Sequence, residues 1–131
     1  IIVSSIQVIP TYHGFEKWGN FPHERSKPLE MIEDSNTPTI IISGDRHKAG
    51  LYKKGNVIEL TSSSMNKPLP AYLSKIWDLI SKETDTYLID DMFYPENYGT
   101  LSINDEGEVS IELKDLDGVT VGSTKLKIRG N

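Results

Sequence analysis

A chain of 131 residues with 37% hydrophobic and 25% charged content is long enough for one domain with a sizeable core, burying about two thirds of its extended surface. Its 14 Lys and Arg are scattered among 19 Asp and Glu, for a net charge of -5. No basic face is offered to a phosphate backbone, so nucleic acid is not expected as a primary partner. No apolar run approaches the roughly 20 residues of a membrane span, and the lack of cysteine excludes a disulfide framework and a thiolate metal site.

The opening stretch Ile1 to Ile9 is rich in Ile and Val and is closed by Pro10, which predicts a short buried strand. The next segment, Thr11 to Arg25, holds Tyr12, Phe15, Trp18 and Phe21 with two Gly and a Pro. It follows neither a helical nor a strand period, and a structured loop of that length is more often functional than idle. A helix is predicted from Pro28, where a first-turn proline forfeits no hydrogen bond, to the "SNTP" that stops it. Thr39 to Ser43 is a second strand, parallel to the first through that crossover.

Val57 to Thr61 reads as a third strand, followed by the polar "SSSMNKPLP" loop. Over Ala71 to Lys82, Leu73, Ile76, Trp77 and Ile80 fall on one helical face, which places Trp77 in the core. From Leu101 to Ile128 apolar residues alternate with polar ones between "NDEG" and "DLDG", the pattern of an antiparallel meander with one wet face. The fold class is therefore mixed α/β ending in a meander, and residues 1–131 are read as a single unit.

The chemistry gathers at "SGDRH". On extended backbone Asp45 and His47 face one side and Arg46 the other, at the carboxyl end of a parallel strand, where α/β sheets bind ligands. A carboxylate beside an imidazole suits zinc, iron or manganese. The same residues also make an ordinary turn after a strand, and two ligands fall short of the roughly three of a catalytic zinc. His13 is the candidate third ligand. Arg25 and Arg46 are candidates for clamping a phosphate or for surface salt bridges, and Trp18 with Phe21 for an aromatic wall over a ligand or for packing onto the sheet. Asp90 and Asp91 could pair for acid/base work, ligate a metal or simply be solvated, and His23 reads as a surface residue. No G-x-S-x-G elbow is present, so serine hydrolysis is not expected.

Three stretches, "SSIQVIPTYHGFEKWGNFPHER", "IIISGDRHKAGLY" with "IELTSSSMN", and "NYGTLSINDEGEVSIELKDLDG", together resemble the closing half of PhoD-like alkaline phosphatases, members of the binuclear metallophosphoesterase superfamily. The resemblance implies the C-terminal half of an α/β/β/α sandwich and a two-metal site that hydrolyses phosphate esters. In such a site the metals, which the sequence does not identify among Fe, Ca, Zn and Mn, polarise the phosphoryl group and lower the pKa of an attacking water. Asp45 and His47 correspond to the family's last metal motif, where wider relatives have Gly-His-x-His. His13 is carried as a further metal ligand, Arg46 as a catalytic candidate, and Trp18 and Arg25 as substrate-binding candidates.

The family's earlier Asp-rich motifs have no counterpart in this sequence. The chain is therefore expected to be the C-terminal portion of a metallophosphatase domain, inactive alone, beginning on a strand that should sit mid-sheet. Its expected partners are a phosphate-ester substrate and the N-terminal half of the same domain, with self-association through exposed strand edges as another outcome. The family likeness implies a periplasmic or secreted parent. The competing expectation is a non-enzymatic binding module in which Gly-Asp-Arg-His is a structural turn.

Overall fold

The computed structural model describes residues 1–70, 72, 73, 76 and 85–128. Two sheets carry the fold. The first has the order β1 (Ile2–Val3), β2 (Thr39–Ser43), β4 (Val57–Ser62), β3 (Ala49–Lys54). The pairs β1–β2 and β2–β4 are parallel, and β3 joins β4 as an antiparallel hairpin. The second sheet is the meander β5 (Asn97–Ile103), β6 (Glu108–Asp115), β7 (Thr120–Lys127).

Alternation along the strands assigns each side chain to a layer. Ile40, Ile58 and Leu60 of the first sheet meet Val109, Ile111, Leu113 and Leu126 of the second in one buried cluster. Their neighbours Ile41 and Val57 turn to the opposite face and pack with Val8, Ile9 and Leu29 of helix α1 (Pro22–Ser35). The parallel sheet is thus covered by the meander on one face and by α1 with the loop segments on the other. This two-faced burial explains why β2 reads as a continuous Ile run while β6 alternates.

The mixed α/β class, the strand at Thr39–Ser43 and the meander agree with the sequence reading. The meander's turns use the expected chemistry. Asn104 Oδ1 accepts the Glu106 and Glu108 N–H groups, and Asp115 Oδ1 accepts those of Asp117 and Val119. Gly107 and Gly118 supply φ of 74° and 81°.

Three expectations need correction. The first strand is only Ile2–Val3: Ser4 N–H still bonds to Ile42 O, but beyond it the backbone leaves the ladder, and the Val8 and Ile9 N–H groups bond to the Glu59 side chain. Among the described residues this strand lies at the sheet's edge, and the mid-sheet place expected of it is a property of the expected larger domain. Helix α1 begins at Pro22, so Pro22 takes the first-turn role and Pro28 sits inside the helix. The interior proline costs the Glu24 carbonyl its helical partner, and that residue is exposed. Strand β3 was not foreseen, since "AGLYKK" lacks a strong β pattern and is built by its hairpin across Gly55 and Asn56. The helix expected over 71–82, with Trp77, lies for the most part outside the described residues.

Candidate functional site

Beyond Ser43 the chain turns out of β2 through Gly44, and Asp45 and His47 adopt left-handed backbone with φ of 58° and 51°. Asp45 and His47 are exposed while Arg46 between them is buried. The burial separates Arg46 from its two neighbours, and a tight turn produces that separation, not the extended strand of the sequence reading. Ser63 pins this turn: its hydroxyl accepts the Arg46 N–H at 2.9 Å and donates to the Lys48 carbonyl at 3.1 Å.

The His47 ring is oriented by its Nδ1, 2.8 Å from the Lys67 carbonyl. A carbonyl can only accept, so Nδ1 is the donor of this bond, and Nε2 is the nitrogen left for another partner. Arg46 points inward, its guanidinium 5.1 Å from the centre of the Phe15 ring, within cation–π range. Phe15 also faces the His13 ring at 6.1 Å between centroids. His13 therefore reaches the Gly-Asp-Arg-His turn through Phe15. His13 itself is buried, and its Nδ1 accepts the Phe15 N–H at 3.2 Å. Among the described residues no group of three or more His, Asp or Glu is placed to hold a metal, so His13, Asp45 and His47 do not form one.

The other candidates lie apart from the turn. Arg25 donates through Nε and Nη2 to the Val8 and Ile9 carbonyls at 2.7 and 2.8 Å, so these donors hold the first segment. Trp18 is half-buried, donates from Nε1 to Ser4 Oγ at 3.1 Å and walls an apolar groove of about 540 Å³ together with Phe21. Asp90 and Asp91 edge a separate open cleft beside β7, and His23 is exposed on α1.

The sequence reading missed the polar assembly beneath the turn. Glu59, wholly buried in β4, accepts Val8 N–H at 3.0 Å, Ile9 N–H at 2.6 Å and the Ser43 hydroxyl at 2.6 Å. Thr61 lies 2.9 Å from Ser43 Oγ and accepts from Gln7 Nε2 at 2.8 Å. Burial pushes the Glu59 carboxyl pKa up, opposed by the Ser43, Ile9 and Val8 hydrogen bonds and by the Arg25 charge. One carboxylate thus ties the segment leading to the His13 loop to the end of β2. Lys17, also buried, donates to the His13 carbonyl and to Asn20 Oδ1, and Asp85 Oδ2 accepts Thr11 N–H at 2.8 Å. The available signal was a Glu inside the apolar run "VIEL" and a Gln inside "SIQVIP", since a polar residue within a buried strand must find partners.

No family model matches the sequence, and no curated protein does. Among solved structures, "GAP50 the anchor in the inner membrane complex of Plasmodium" is similar over 97% of this chain with a TM-score of 0.69 at 12% sequence identity. At that identity the likeness is one of fold. The chain spans 36% of the length of that protein.

Proposed function

We propose that this chain is one side of a metal-dependent phosphoric ester hydrolase site in a larger domain of α/β/β/α sandwich type, with Asp45 and His47 as its metal ligands. The observation that carries the reading is His47: its Nδ1–H is fixed on a backbone carbonyl, which is how a metal-ligating histidine is oriented. The exposed Asp45 stands two residues away on the same turn. Both hold left-handed backbone that is unfavourable for residues with a Cβ, and such backbone clusters at functional sites.

An exposed carboxylate and an imidazole suit Fe, Zn or Mn, and the carboxylate alone suits Ca. The described residues hold no group of three or more such donors, and a two-metal site needs more than Asp45 and His47. The set among the described residues does not complete the group, so the chain alone is expected to be inert, and no catalytic step is assigned to its residues. Bound metals would supply Lewis acidity toward a phosphoryl oxygen. What the chain contributes is a turn fixed by Ser63, with Arg46 held inward against Phe15. The remaining ligands would come from the rest of the domain, and the parent would be a periplasmic or secreted phosphatase of the PhoD-like kind.

Hydrolysis of p-nitrophenyl phosphate and its bis ester tests this, for the natural polypeptide that carries these residues and for the 131-residue chain, with each metal and with chelator. Chelator-sensitive turnover by the longer polypeptide, lost in Asp45→Asn and His47→Gln, is the expected result. Turnover by the 131 residues alone, or turnover indifferent to both substitutions, overturns it. A second reading, a binding module with a structural turn, is favoured by Ser63, whose hydroxyl fixes the turn from within this chain. It predicts a natural polypeptide inert with every metal.

A further inference from the structure

The two edges of the parallel sheet are finished differently. On the β3 side the edge is covered. Ala49 and Phe93 exchange N–H···O bonds of 2.7 and 2.9 Å, and Lys53 N–H and Ile89 N–H bond to Tyr87 O and Leu51 O at 2.8 Å each. The meander's outer strand β7 carries Lys125 and Lys127, the charged residues that discourage edge pairing. The β1 edge has neither protection. It is Ile1-Ile2-Val3, with Ile1 80% and Val3 77% exposed.

Its backbone is also poised to pair. Ser4 N–H bonds to Ile42 O at 2.9 Å, and the donors of a strand alternate sides, so the N–H and C=O of Val3 point away from β2. Beside this edge runs the apolar groove of about 540 Å³, walled by Ile2, Val3, Trp18, Phe21, Pro28 and Ile41, with Glu24 at its rim. A parallel sheet is normally covered on both faces by crossover helices. Here α1 covers the face behind β2, and the groove opens where the cover stops short of β1. The solved chain of like fold extends well beyond the matched region, since this chain spans only 36% of it.

We propose that the outer edge of β1 and its groove are a seam where a further parallel strand, with its helix lying in the groove, joins this sheet from the rest of a larger domain. This rests on the reading above only in taking the domain to be larger than these residues. The incoming strand pairs with Val3, and its helix brings apolar residues against Trp18 and Phe21. A second copy of this chain fits less well. A two-fold axis would pair β1 with β1 antiparallel, and each copy would offer the same groove wall and no helix to fill the other's.

Amide hydrogen exchange tests the seam without reference to activity or metal. In the 131-residue chain the Val3 N–H is expected to exchange as a solvated amide. In the natural polypeptide it should slow by roughly a hundredfold or more. Val3→Pro removes only the outward donor and leaves the Ser4–Ile42 bond in place. In the natural polypeptide it should strip protection from the incoming strand, while Val3→Ala keeps it. Equal Val3 exchange in both proteins overturns the proposal. So does concentration-dependent protection in the 131-residue chain, which would make the occupant a second copy. A protected Val3 in a polypeptide without phosphatase turnover would leave the seam standing and sink the hydrolase reading.

Discussion

In the meander the turn side chains act close at hand. Asn104 reaches Glu106 and Glu108, and Asp115 reaches Asp117 and Val119, two and four residues on. In the parallel half the fastenings are distant: Glu59 takes the Val8 N–H from 51 residues away, and Asp85 the Thr11 N–H from 74. The meander repeats one kind of local bond, so losing one turn bond leaves its ladder standing. The parallel half hangs the His13 loop and the end of β2 on single buried side chains, and nothing nearby can replace them.

Glu59→Leu is the largest test of that contrast. It orphans two buried N–H groups, each worth about 1–3 kcal/mol, and should cost about 3 kcal/mol in urea unfolding. Amides of Gln7 to Tyr12 should lose protection before those of β6. Asp115→Ala, in an exposed turn, should cost about 1 kcal/mol. Equal losses for the two variants would break the comparison.

The seam between the halves gives the next effect. Gly99 of β5 lies so close to β4 that an added Cβ would stand 2.5 Å from Leu60 Cδ2. Gly99→Ala should cost about 1–3 kcal/mol by overpacking, and much less in a Leu60→Ala background, where the obstructing methyl is gone. An unchanged penalty in that background would place the cause in the strand's backbone rather than between the sheets.

Acidity separates the halves more gently. Burial raises the Glu59 carboxyl above its ordinary value near 4.5, so the folded state binds its proton more tightly than the unfolded chain does. The stability this confers is fully present below that ordinary value and fades as pH rises through the folded one. Glu59→Gln keeps an acceptor for Val8 and Ile9 and carries no charge. Stability curves of the two proteins should therefore diverge as pH rises from the ordinary carboxylate range, with Glu59→Gln the less affected. Parallel curves would mean that the hydrogen bonds to the carboxylate cancel its desolvation, and divergence in the opposite sense that they outweigh it.

The same contrast governs what could be read from sequence. Alternation and Asn, Asp and Gly turns are local signals, and they located the meander. Thr39 to Ser43 was legible because burial on both faces leaves a plain apolar run. Strand β3 exists because β4 and the 85–95 segment flank it, and "AGLYKK" carries no trace of either neighbour. Asp45, Arg46 and His47 stood out by residue type, yet period-two reasoning does not describe a turn with two left-handed residues. Arg25 read as a phosphate clamp because its partners, the Val8 and Ile9 carbonyls, are backbone groups that no side-chain pattern announces.

The smallest effect addresses the turn itself. At φ of 58° Asp45 occupies backbone that glycine would hold more cheaply, by about 0.5–1 kcal/mol. No described hydrogen bond from its carboxylate offsets that cost, so Asp45→Gly should raise stability by about that amount. His47 at 51° differs, because its Nδ1–H bond to the Lys67 carbonyl returns about 1 kcal/mol. His47→Gly should therefore be close to neutral. A stabilised Asp45→Gly means that the acid stands there at a cost to the fold, which is what a metal ligand does. A destabilised one means that the carboxylate holds the turn, and the binding-module reading then accounts for the strand tip better than a metal corner does.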